Sequence, residues 1–139
     1  VEAIRVAAPG IDIIVIDDAS PDGTGQIAES LEGVRVIHRS GKQGLGKAYV
    51  HGFGQVLAEG YEQIAQMDAD FSHPPEVLPK LFASLDTYDA CIGSRYVPGG
   101  GTKNWGWHRK LLSGWANSIA RAFLGLRCKD VTAGFRAYR

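Results

Sequence analysis

Residues 62–85 read EQIAQMDADFSHPPEVLPKLFASL. Glu62 to Asp68 is a β-rich apolar run that ends in acidic residues, and Pro74-Pro75 then opens a helix over Glu76 to Leu85, since proline suits a first helical turn. A strand that runs through a polar turn into a helix is the repeating unit of an α/β fold. The same unit recurs on both sides. Ile11 to Asp17 (IDIIVID) reads as a buried strand, with a turn at Ala19 to Gly25 and a helix to about Leu31. Val34 to His38 is the next strand and Ala48 to Glu59 the next helix. Downstream, Ala90 to Ser94 is a strand followed by a Gly-rich loop, Pro98 to Gly101. His108 to Leu124 carries Leu111, Leu112, Trp115, Ile119 and Phe123 at helical spacing, which predicts an amphipathic helix. Alternating strands and helices imply right-handed crossovers and a mostly parallel sheet, with ligands at the carboxyl ends of its strands.

Composition excludes several classes. At 139 residues and 45% hydrophobic the chain fits a single domain, 1–139, with a buried core. Lys plus Arg equals Asp plus Glu at 15 each, so no overall field attracts nucleic acid, and no nucleic-acid partner is expected. No apolar run approaches the roughly 18 to 20 residues of a membrane span, and no signal peptide is evident. Membrane contact is then expected to be peripheral. Cys91 and Cys128 show no metal-binding spacing and read as free thiols of a reducing, cytoplasmic compartment. The chain opens on Val1 to Val6, which looks like a helix tail, and stops after a probable strand, so a fragment truncated at both ends is expected.

The strand ends concentrate the polar chemistry. Asp68 and Asp70 lie two apart, which on a strand puts both carboxylates on one face as a hard oxygen site for Mg²⁺ or Mn²⁺. Ser72 and His73 could join that shell, or His73 could cap the turn. Asp17 and Asp18 close the first strand, where carboxylates can accept hydrogen bonds from a base or a ribose; the bland reading is an Asp-rich turn with Thr24 capping the next helix. Arg95 and Arg109 suit phosphate binding, or surface ion pairs. Asp130 is a third candidate site carboxylate, with a turn role as its alternative. Trp105, Trp107 and Trp115 read as core or loop anchors. Gly41 to Ala48 (GKQGLGKA) fits a phosphate loop except that Ala48 replaces the Ser or Thr that would bind Mg²⁺. An ATPase is thereby disfavoured, while Lys42 remains available to phosphates.

In order and spacing, IDDASPDGTG, HRSGKQGLGKAYVHGF, MDADFSHPPEVLPKL, GSRYVPGGG and DVTAGFRAY resemble the dolichyl-phosphate (polyprenyl-phosphate) mannose synthases of glycosyltransferase family 2. The resemblance covers nearly the whole chain and implies a GT-A, Rossmann-like fold. It further implies a GDP-mannose donor, a polyprenyl monophosphate acceptor, inversion at the sugar carbon and action at the cytoplasmic face of a membrane. By that likeness Asp17 and Asp18 fall at the nucleoside, Asp68 and Asp70 at the metal and diphosphate, and Arg95 and Arg109 at the phosphates. Many members carry Gln where this chain has the shorter Ser72, and the family's first strand is missing. UDP-glucose or a related donor is the nearest alternative. A catalytically silent nucleotide-sugar binding module is the alternative from another class.

Overall fold

The computed structural model describes all residues except 98–99, 102–106, 126–127 and 129. Within the 139 residues the chain forms two compact units, Val1–Ile64 and Ala65–Arg139.

In the first unit a short helix α1 (Glu2–Ala7) precedes strand β1 (Ile13–Asp17), helix α2 (Thr24–Glu29), strand β2 (Val34–His38) and helix α3 (Leu45–Ala58). β1 and β2 are parallel, in a register that runs from Ile13 opposite Val34 to Asp17 opposite His38. Both strands are rich in Val and Ile, which fit a pleated surface covered by helices. Ala28, Ile37, Ala48 and Val56 are buried and supply the core of this unit. α3 begins three residues earlier than Ala48. Its first turn absorbs Leu45, Gly46 and Lys47, and the Ala48 N–H already bonds the Gly44 carbonyl at 3.2 Å.

The second unit's sheet takes in strand β3 (Ile64–Gln66), which starts on the first unit's last residue, and has the order β3-β5-β4. A 3₁₀ turn (Pro75–Val77) leads into helix α4 (Leu78–Ser84), then strand β4 (Ala90–Ile92), helix α5 (Trp107–Leu124) and strand β5 (Arg136–Tyr138). Pro75 is the first residue of that turn, as the proline rule requires. Phe135, Leu85 and Ala137 are almost wholly buried, and Leu78 and Leu81 of α4 are buried as well.

The alternation of strands and helices matches the α/β expectation, and two details depart from a single parallel sheet. The strands form a two-stranded and a three-stranded sheet, and β4 pairs with β5 in antiparallel fashion, Ile92 opposite Arg136. The antiparallel pairing has a consequence for chemistry. It brings the loop that leaves β4 and the loop that enters β5 to the same edge, where the Gly93 N–H bonds the Phe135 carbonyl at 2.9 Å.

Candidate functional site

In the first unit, parallel register sets Asp17 opposite His38 at the carboxyl ends of β1 and β2. Asp17 is 6% exposed and accepts the Ser20 N–H, at 3.3 Å to one carboxylate oxygen. The His38 ring joins three elements: Nδ1 lies 3.3 Å from Asp17 Oδ2, and Nε2 lies 2.9 Å from Glu29 Oε1 of α2. Hydrogen bonding to Glu29, and then to Asp17, raises the His38 pKa, because both ring nitrogens can donate only when the imidazole is charged. Hydrogen bonding from Ser20 holds the Asp17 carboxyl below its usual range. Gly25 makes this packing possible, since a Cβ there would stand 2.7 Å from Asp17 Oδ2 and 2.8 Å from the His38 ring.

Asp18 pairs with Arg39, whose side chain is largely buried. The turn that follows is fixed by Asp22, which accepts both the Thr24 N–H at 3.0 Å and the Thr24 hydroxyl at 2.6 Å. Thr24 is therefore not the expected cap: it is the first residue of α2, Gly23 holds the cap position without a side-chain bond, and Asp22 accepts from Thr24 in the turn before it. Lys42 lies in the exposed turn after β2, close enough to Asp22 to help lower that carboxyl's pKa after the Thr24 hydrogen bonds have done most of it. A groove of about 420 Å³ is lined by His38, Arg39, Ser40, Gln43, Lys47 and His51. Arg39 and His38 thus join the candidate site residues, which motif reading passed over; their signal was their position directly at the end of β2.

In the second unit, β3 stops at Gln66, two residues short of Asp68, so strand alternation does not govern the Asp68-Asp70 pair. Other bonds set the acidic bend. The Asp68 N–H donates to His73 Nδ1 at 2.9 Å, and Asp70 Oδ1 accepts the Ser72 N–H at 2.9 Å. Hydrogen bonding from Ser72 keeps the exposed Asp70 carboxyl below its ordinary value. The His73 ring stacks on Phe135, with centroids 5.1 Å apart and planes 11° apart. Its Nδ1 must present a lone pair to accept the Asp68 N–H, which leaves the ring proton on Nε2, 3.8 Å from Asp68 Oδ2. A protonated Nε2 offers no lone pair to a cation. Of the two roles open to His73 in the sequence, the structure gives it the cap.

Gly134 forms the wall behind this bend: its carbonyl accepts the Gln66 amide at 2.9 Å, and a Cβ on it would come within 3.2 Å of Asp68 Oδ2 and of the His73 ring.

Arg95 and Asp130, thirty-five positions apart in sequence, meet at the shared edge of β4 and β5. Asp130 is fully buried, and both of its oxygens are engaged by Arg95: the backbone N–H and Nε on Oδ2 at 2.9 and 2.8 Å, and Nη2 on Oδ1. Burial opposes ionisation of Asp130, but the Arg95 hydrogen bonds outweigh it and hold the pKa down. Nη2 also donates to the Thr132 hydroxyl at 2.9 Å, and Asn117 of α5 exchanges hydrogen bonds with Thr132 at 3.3 Å. Of the roles the sequence leaves open to Asp130, this geometry suits one that aims Arg95, whose side chain is 21% exposed. Arg109 lies in the first turn of α5, with its side chain outside the described residues, as are Pro98, Gly99, Trp105 and the Trp107 side chain.

For a divalent cation, the second unit offers Asp68, 40% exposed, and Asp70. No group of three or more His, Cys, Asp or Glu able to hold a metal occurs among the described residues. Two carboxylates alone still suit Mg²⁺ or Mn²⁺, which commonly take one or two from the protein and complete their shell with phosphate and water. The donor set fits.

Comparison with known proteins gives the same direction. The family described as "Glycosyl transferase family 2" matches residues 1–139. A polyprenol monophosphomannose synthase of Mycolicibacterium smegmatis is 49% identical over 142 residues, which cover 98% of this chain and 54% of the relative. An undecaprenyl-phosphate mannosyltransferase of Micrococcus luteus is 50% identical over 141 residues, covering 98% and 58%. A dolichol-phosphate mannosyltransferase of Pyrococcus furiosus is 42% identical over 134 residues, covering 92% and 37%. The chain thus spans about half the length of the first two of these relatives.

Proposed function

Because the chain belongs to glycosyl transferase family 2, we propose that it carries the donor-binding and catalytic residues of an enzyme that transfers mannose from GDP-mannose to a polyprenyl monophosphate. The observation that carries this reading is the roughly one-half identity, over 98% of the chain, to two proteins named for polyprenyl-phosphate mannosyl chemistry. The phosphate-loop alternative loses its footing: Ala48 is a buried core residue with no hydroxyl, and the family match takes in the same segment.

The reaction forms a bond between an acceptor phosphate oxygen and the anomeric carbon while the bond from that carbon to the GDP oxygen breaks. Attack opposite the leaving group inverts the centre. An acceptor phosphate is already an anionic nucleophile, so the protein's task is alignment and stabilisation of the departing diphosphate. Asp18 and Asp17 would serve the nucleoside, Asp17 mainly by fixing the turn, and Lys42 would lie near the donor phosphates. Arg95, aimed by Asp130, would bind a phosphate through its planar fork, and Arg109 would assist it. Mg²⁺ or Mn²⁺ held by Asp68 and Asp70 would neutralise charge on the diphosphate when bound. No general base is required of the protein, which agrees with a buried Asp130 that is tied to Arg95. The acceptor places the work at a membrane surface, and a GDP-sugar donor places it at the cytoplasmic face.

Calorimetric titration with GDP-mannose and with UDP-glucose, each with and without Mn²⁺, tests the donor, and a lipid-extraction assay with polyprenyl phosphate tests transfer. Metal-dependent GDP-mannose binding that Asp70→Ala abolishes is the expected result. Preference for UDP-glucose would overturn the donor, and donor binding without transfer by a chain with its full partner segments would point to a silent binding module.

A further inference from the structure

Thr132 sits at the centre of the Arg95–Asp130 cluster, and the hydrogen bonds around its side chain fix where its own proton must go. A threonine hydroxyl has two acceptor lone pairs and one proton to donate. Arg95 Nη2 approaches this hydroxyl at 2.9 Å and Asn117 Nδ2 approaches it at 3.3 Å. A guanidinium can only donate, whereas an amide has a donor end and an acceptor end. The Thr132 N–H donates to Asn117 Oδ1 at 3.3 Å, so the donor end of that amide is the one turned to the hydroxyl. Both lone pairs are thus taken by donors, and among the described residues no acceptor receives the hydroxyl proton. It is left for an oxygen brought from outside the chain.

The surroundings select the kind of oxygen. Asn117 is 3% exposed and Asp130 is fully buried, while Thr132 is exposed, so the cluster is fixed on its inner side and open at the hydroxyl. On α5 it is Asn117 that turns inward; Trp115, expected as an anchor, is 68% exposed. A hydroxyl that accepts from a guanidinium is polarised, which strengthens its own O–H as a donor. Asp130 offsets the charge of Arg95, so a ligand here is chosen by directed donors more than by net charge. A polarised hydroxyl next to a planar guanidinium suits the several oxygens of a phosphate.

We propose that Thr132 donates its hydroxyl proton to a phosphate oxygen beside Arg95, and that Asn117 is the positioning residue that orients this hydroxyl. The proposal deepens the transferase reading and rests on it for the choice of phosphate, while the direction of the proton rests on the hydrogen bonds alone. In that reaction phosphate comes from two sources, the acceptor monophosphate and the donor diphosphate.

Calorimetric titration of the chain with a short, soluble isoprenyl monophosphate and with GDP plus Mn²⁺ tells these sources apart without any transfer step. Thr132→Val keeps the shape and removes the hydroxyl. It should weaken at least one of the two ligands by about tenfold or more, the worth of a hydrogen bond to a charged group. Loss on the isoprenyl monophosphate assigns the contact to the acceptor, loss on GDP assigns it to the donor, and loss on both places it where the two phosphates meet. Thr132→Ser should recover most of the lost affinity. To separate a hydroxyl that touches phosphate from one that only steadies Arg95, Thr132→Val is also made on Arg95→Lys, which keeps a cation near Asp130 but not the fork. It should still cost about threefold or more in that background. Should Thr132→Val misfold by circular dichroism, Thr132→Ala takes its place in both comparisons. Unchanged affinity for both ligands in a folded variant without the hydroxyl would overturn the proposal. So would equal loss in Thr132→Ser, no further loss on Arg95→Lys, or wild-type protein that binds neither ligand. Mannosyl transfer is scored separately. Hydroxyl-dependent phosphate binding in a chain that transfers no mannose would remove the transferase reading and leave the Thr132 contact standing.

Discussion

At the scale of single residues, the acids of the second unit divide into two kinds. Asp70 is exposed and makes only a local bond to Ser72, so Asp70→Ala should change stability by no more than about 0.5 kcal/mol while abolishing Mn²⁺ binding by calorimetry. Asp130→Ala should instead destabilise by about 3 kcal/mol in urea denaturation, because it strands the Arg95 guanidinium beside a vacated buried site. His73 permits a finer distinction. Asn can place its carbonyl oxygen near the position of Nδ1, whereas Gln reaches toward Nε2. If the bond from the Asp68 N–H is what matters, His73→Asn should retain Mn²⁺ affinity within about threefold, and His73→Gln should lose about tenfold, the worth of one hydrogen bond at a polar site. Equal loss in both, or loss only in Asn, would sink the capping role. The two aspartates of the bend and Arg95 were legible from sequence as types at strand ends. The role of Asp130 was not, since its partner lies thirty-five positions away and only the antiparallel β4–β5 pairing brings them together.

At the scale of elements, strand and helix order was readable because period and punctuation agree: Val34 to His38 was placed to the residue, and Pro75 marked the start of its helical segment. The misplacements have physical causes. β3 is cut short because the Asp68 N–H turns to His73, and α3 starts early because glycine at 44 and 46 reads as loop while the chain already makes helical bonds there. The clasp of β1, α2 and β2 through His38 makes a pH prediction. Its pKa is raised in the folded state, chiefly by Glu29, so its stabilising effect is complete below the unfolded value and fades as pH rises through the folded one. The melting temperature should therefore fall as the pH rises above about 6.5, the ordinary histidine value, and His38→Gln should flatten that decline. The facing groups are Asp17 on β1 and Glu29 on α2, and both are carboxylates that reinforce the effect. Gly25→Ala tests the same clasp sterically. A methyl group 2.7 Å from Asp17 Oδ2 must displace it, at a cost of about 1–3 kcal/mol by chemical denaturation.

At the scale of the whole molecule, the chemistry is divided as the chain is. Carboxylates suited to a nucleoside belong to Val1–Ile64, and those suited to a cation belong to Ala65–Arg139. Asp18→Ala should weaken GDP binding in the presence of Mn²⁺ by about tenfold or more and leave the affinity for Mn²⁺ alone unchanged, whereas Asp70→Ala should abolish both. Paired titrations of GDP and of Mn²⁺ separate the two. Among the described residues, each unit also carries one non-glycine residue with a left-handed backbone, Ala19 at φ 56° and Phe71 at φ 58°, and each directly follows its acidic pair. That conformation disfavours side chains with a Cβ, and β-branched ones most of all. A saturation library at codons 19 and 71, selected only for folded yield, should therefore fill with glycine, asparagine and aspartate and lose valine, isoleucine and threonine. The two codons would mark, in deep-sequencing counts, the hinges of the two acidic turns.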